Sequence, residues 1–61
     1  MNAKEVVKLA KNNGWTEKSQ RGSHIKMIHK DREKHVIIPY HGSKDIPKDT
    51  LHEILKDLGI K

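Results

Sequence analysis

Apolar residues recur in a helical rhythm at each end of this chain, with an alternating stretch between. Ala3, Val6, Val7 and Ala10 stand three and four apart, with Leu9 beside them, the spacing of one helix face. Asn2 and Glu5 frame the start as a capping box, in which Asn2 closes free N–H groups and Glu5 reaches back to it. Asn13-Gly14 supplies the stop, because glycine takes the left-handed cap conformation at little cost. The pattern predicts a helix over about 3–13. At the other end Leu51, Ile54, Leu55 and Leu58 fall at i, i+3, i+4 and i+7, one apolar stripe of a second helix. Pro47 suits its first turn. Gly59 followed by Ile60 suits a Schellman close, with Ile60 folded back on the stripe.

The middle reads as strands. Trp15 follows the first helix as a core plug. Thr16 to Gln20 is polar and fits a short edge strand, with Arg21-Gly22 as a turn or bulge. Ser23 to His29 alternates, so that Ile25 and Met27 share one face while His24, Lys26 and Ile28 share the other. Lys30 to Lys34 reads as a charged hairpin loop, although it lacks the glycine such loops favour. His35 to Pro39 is a third strand, with Val36 and Ile38 on one face and Pro39 ending it for want of an N–H. Tyr40 to Asp45 is an irregular loop containing Gly42. The order is α-β-β-β-α in a single domain over residues 1–61. The expected fold is α+β, two helices packed on one face of a three-stranded antiparallel sheet. Double-stranded-RNA-binding modules share this order.

Composition narrows the setting. A chain of 61 residues buries only about 60% of the surface its unfolded form exposes, so its core is a single small layer. The longest apolar run is Val36-Ile37-Ile38, far short of a membrane span or signal peptide. The absence of cysteine removes disulfides and Cys-based zinc sites and fits a reducing cytoplasm. Thirteen Lys and Arg against eight Asp and Glu leave a net charge of +5. On so small a domain that charge favours polyanionic partners: nucleic acid, an acidic protein or an anionic surface.

The candidate chemistry centres on His24. It opens the alternating strand beside the Gly22-Ser23 turn and points away from the helices. Imidazole takes or gives a proton near neutral pH. In RNA the 2′-hydroxyl is a built-in nucleophile, and a base that removes its proton starts cleavage at the neighbouring phosphate. Lys18, Arg21 and Lys26 flank His24 and are candidates to hold that phosphate and stabilise its growing charge. Gly22-Ser23 shapes the turn, and Ser23 joins the RNA-binding candidates through backbone N–H groups. Ser23 is no hydrolase nucleophile, because G-x-S-x-G is absent. His24, His29, His35, His41 and His52 never fall at metal-ligand spacing, so no metal site and no cofactor is expected. One Trp and one Tyr are too few for a single-strand stacking platform.

The segments "KEVVKLAKNNGW", "RGSHIKM", "HVIIPYHGSKDIPKDTL" and "ILKDLGI" together resemble the HicA toxin family of bacterial toxin–antitoxin systems, over nearly the whole chain. The resemblance implies a small mRNA interferase of double-stranded-RNA-binding-like fold that acts in the cytoplasm. It implies that the catalytic residue is the histidine of Gly-Ser-His, here His24. It also implies neutralisation by a HicB-like antitoxin covering that histidine. Many members carry a second histidine directly after the first; this chain has Ile25 there. Two rival readings remain: a non-catalytic RNA-binding module, and an interaction protein whose basic face binds an acidic partner.

Overall fold

The computed structural model describes residues 1–60. Helix α1 runs Ala3–Asn12, strands β1, β2 and β3 run Trp15–Arg21, His24–His29 and Arg32–Pro39, and helix α2 runs Lys48–Asp57. The expected order and class hold. The sheet is antiparallel in the order β1-β2-β3, with β2 central. Both helices lie on one face, α1 against β1 and β3 and α2 against β3.

The predicted ends are built as local chemistry requires. The Glu5 N–H donates to Asn2 Oδ1 at 2.9 Å and the Asn2 N–H to Glu5 Oε1 at 3.0 Å. That is both halves of a capping box. At the end of α2 the Ile60 N–H reaches the Leu55 carbonyl at 2.8 Å and the Gly59 N–H reaches that of Lys56 at 3.0 Å. This is the Schellman pattern, with Gly59 at φ +78°. Pro47 sits one position earlier than expected, as the N-cap of α2, and gives it no side-chain cap.

The core lies between the layers. Ala3, Val6 and Ala10 of α1, Ile54 of α2 and Leu58 at its C-cap meet Ile25 and Met27 of β2 and Val36 and Ile38 of β3. Trp15 is buried, and its Nε1–H donates to the Leu58 carbonyl at 3.2 Å. The indole thereby joins the end of α2 to the start of β1. Ile46, directly after the Tyr40–Asp45 loop, is also buried. Its N–H bonds to the Met1 carbonyl at 2.8 Å, and Asn2 bridges to Asp45, so this segment is tied to the N-terminus.

The strands differ from the sequence reading in three places. Trp15 and Arg21 are inside β1, which is longer than the expected 16–20. Arg21 pairs with His24, so of the two placements read from the sequence the turn is Gly22-Ser23, and Arg21 belongs to the strand. Gly22, at φ +53° with no positive φ at Ser23, has the conformation a type II′ hairpin wants at its first central residue. The charged hairpin loop over 30–34 shrinks to Lys30-Asp31, because His29 pairs with Arg32. Arg32 to Lys34 lie on an edge strand and are exposed, so charge there is compatible with β structure and reads falsely as loop.

Candidate active site

Strand parity decides what the outer face of the sheet displays. Ile25 and Met27 must face the helices, so His24 and Lys26 face away. Cross-strand neighbours share a face: Arg21 and Pro39 stand opposite His24, and Ser19 and Ile37 opposite Lys26. Ser19, Arg21, His24, Lys26 and Ile37 line an open depression of about 610 Å³. His24 is exposed, and its ring has no hydrogen-bond or ion-pair partner among the described residues. Arg21 and Lys26 likewise form no ion pair among the described residues. A free imidazole thus sits between two uncommitted cations on the outer face of the sheet. Such an arrangement can move a proton next to an anion held in place.

Of the residues singled out from sequence, His24, Arg21 and Lys26 are brought together. Lys18 is exposed but outside the depression. The pairing of β1 with β2 shifts between Glu17 and Ser19, so Lys18 is the extra residue of a bulge and Ser19 takes the outward position opposite Lys26. Ser23 is half-buried in the turn and does not line the depression. Its carbonyl accepts the Tyr40 N–H at 2.6 Å, which ties the hairpin to the end of β3.

Ser19 and Ile37 escape sequence reasoning. Nothing local announces the bulge that turns Ser19 outward. Ile37 carried a signal: in an apolar triplet whose outer members face the core, the middle one faces solvent. At 46% exposure it is the most exposed large apolar side chain among the described residues.

The other histidines are placed elsewhere. His29 is on the helix side of the sheet, its ring edge-on to Trp15 with centroids 5.2 Å apart. Its Nδ1 accepts the Asp31 N–H at 3.0 Å. His35, His41 and His52 are exposed and do not line the depression. Among the described residues no three His, Asp or Glu side chains converge as metal ligands, and no helix is long and apolar enough to cross a membrane.

The profile of a family described as "HicA toxin of bacterial toxin-antitoxin" matches residues 3–60. The chain belongs to the HicA toxin family. It is therefore a toxin-type component of a bacterial toxin–antitoxin system. A solved structure, described as "HicA3 and HicB3 toxin-antitoxin complex", superposes on the whole of the chain and on 97% of its counterpart, with TM-score 0.77 and 32% identity. No curated protein matches the chain. The HicA resemblance drawn from the Gly-Ser-His step and its flanking segments is thus upheld, and the HicA fold agrees with the α-β-β-β-α architecture.

Proposed function

We propose that this HicA-family chain is an endoribonuclease that cuts mRNA in the cytoplasm with His24 as its general acid–base. The observation that supports it is the unpartnered His24 imidazole set between Arg21 and Lys26 in an open depression. Neutral His24 takes the proton of a ribose 2′-hydroxyl. The oxygen attacks the adjacent phosphorus, the bond to the 5′-oxygen breaks, and that oxygen takes a proton from the imidazolium or from water. The products are a 2′,3′-cyclic phosphate and a 5′-hydroxyl. Arg21 and Lys26 hold the phosphate and stabilise the charge that grows on it. Ser19 offers a hydroxyl donor at the same rim.

The partner in this reading is a HicB-type antitoxin, as in the HicA3–HicB3 complex. The net charge of +5 steers an acidic partner to the basic face and speeds encounter. Covering the depression then blocks RNA and buries His24.

Purified protein is incubated with labelled RNA in EDTA, wild type beside His24→Ala. Cleavage by wild type alone is expected, with cyclic phosphate ends. RNA bound but uncut by both proteins makes the chain a non-catalytic RNA-binding module. Cleavage by both removes His24 from the mechanism.

A further inference from the structure

The outer face of the sheet does not hold all of the uncommitted positive charge. Lys4, Lys8 and Lys11 are exposed and stand at i, i+4 and i+7 on α1, a stripe about 10 Å long. With Glu17, Gln20 and Tyr40 they line a groove of about 430 Å³ between α1 and β1. Among the described residues none of the three lysines forms an ion pair. Glu17 is the only acid on the groove wall, so the groove stays positive.

Tyr40 sets this groove apart from an ordinary solvated helix face. Besides Tyr40 the chain has one large aromatic, Trp15, and that ring is buried with its N–H engaged. Tyr40 packs on the core from one side and lines the groove with the rest. The groove lies on the helix side of the sheet, across the β1 edge from the His24 depression. The Tyr40 N–H bonds to the Ser23 carbonyl, and the preceding Pro39 stands opposite His24. A strand passing from one concavity to the other rounds the Gly22-Ser23 turn or the open edge of β1, which has no neighbour beyond it in the sheet. Nothing stands within 4 Å of where a Gly22 Cβ would be, so the turn itself is uncovered at Gly22.

We propose that this groove is a second RNA subsite. It holds one unpaired nucleotide flanking the linkage cut at His24, with phosphates on Lys4, Lys8 and Lys11 and the base against Tyr40. The inference rests on the ribonuclease reading of His24 and names the substrate class as single-stranded RNA. A base must leave its helix to lie on a side-chain ring, and the path bends around the β1 edge, which a flexible strand follows and a duplex does not. A single ring serves a single base, consistent with a chain too poor in aromatics for a platform. Gln20 offers an amide to the edge of that base.

The test measures affinity in the His24→Ala background, using a labelled single-stranded RNA of about a dozen nucleotides and the same sequence as a duplex. Three variants are compared: Lys4→Gln/Lys8→Gln/Lys11→Gln, Tyr40→Leu, and the charge-matched control Lys30→Gln/Lys48→Gln/Lys56→Gln, whose lysines are exposed and line neither concavity. The groove triple variant is expected to bind about tenfold more weakly and to lower the slope of log affinity against log salt by about 2. The control triple variant loses about threefold at most. Tyr40→Leu weakens single-strand binding about tenfold with the slope unchanged, and the duplex binds more weakly than the single strand. Equal losses from the two triple variants overturn the subsite, even if Tyr40→Leu fails to fold. Duplex bound as tightly as single strand overturns the unpaired nucleotide. A groove triple variant that keeps RNA but loses an antitoxin makes the face a protein's and overturns the proposal. If wild type cuts RNA in EDTA while the groove triple variant binds normally, the subsite falls and the nuclease reading stands. If His24→Ala binds no RNA and wild type cuts none, both fall.

Discussion

Strand β2 begins and ends with histidine, and the two ends of the molecule they mark are built differently. His24 is even in the alternation and faces solvent; His29 is odd and faces the helix layer. At the His29 end the histidine has structural tasks. The ring lies edge-on to Trp15, its Nδ1 takes the Asp31 N–H, and its Nε2 would lie 2.7 Å from a Cβ at Gly14. Two of the cations there, Arg32 and Lys34, are engaged as well. The Arg32 guanidinium sits 6.0 Å from the Trp15 ring centroid and against Gly59 at the end of α2, where cations are favoured, and Lys34 pairs with Asp57 at 2.9 Å. At the His24 end the imidazole and the two nearest cations have no protein partner among the described residues. Residue type alone does not separate a catalytic candidate from a structural one. What separates them is whether the folded chain leaves the group unemployed.

Substitutions at the two ends therefore diverge. His24→Ala is the largest effect: RNA cleavage falls by about 10²–10⁴, while the melting temperature moves by no more than about 4 °C, because the side chain is exposed. A mutant that cuts within threefold of wild type breaks the comparison. Next is Gly14→Ala. Gly14 has φ +91° and its Cβ would collide with the His29 ring, at a cost of about 2 kcal/mol, or roughly 10 °C in melting temperature. His29→Ala follows at about 1 kcal/mol, from the lost ring contact and hydrogen bond, with cleavage per folded molecule unchanged. The double variant sharpens the point. Removing the ring relieves the collision, so Gly14→Ala costs less in the His29→Ala background. Strict additivity in calorimetry would show that Gly14 and His29 do not meet.

The legible parts of the fold were those set by near neighbours. The capping box, the Schellman close and the two apolar stripes each need residues within a turn or two of one another, and each appears as read. The parts that escaped depend on partners distant in sequence. Ile46 is buried because its segment is tied to Met1 and Asn2, and no periodicity in its own neighbourhood says so. Lys18 is bulged out of the site because of how β1 pairs with β2, so of the three cations that flank His24 in sequence only Arg21 and Lys26 line the depression with it. His24 was legible because parity alone turned it outward. Ser19 was not, because the bulge upsets parity on its strand.

The smallest effect concerns the cations. Lys34 and Arg21 are both basic residues on edge strands, one paired and one not. The Lys34–Asp57 pair is short but its side chains are 58% and 41% exposed, so water and salt screen it and it contributes about 0.5 kcal/mol. Lys34→Ala lowers the melting temperature by about 2–4 °C in low salt, and the difference shrinks as salt rises past a Debye length of about 10 Å. Arg21→Ala removes no intramolecular ion pair among the described residues. It leaves the melting temperature where it is at any salt and weakens RNA binding instead. The two melts in parallel, at low and high salt, decide it. If Arg21→Ala destabilises the fold more than Lys34→Ala does, the charge beside His24 is holding the protein together rather than waiting for a phosphate.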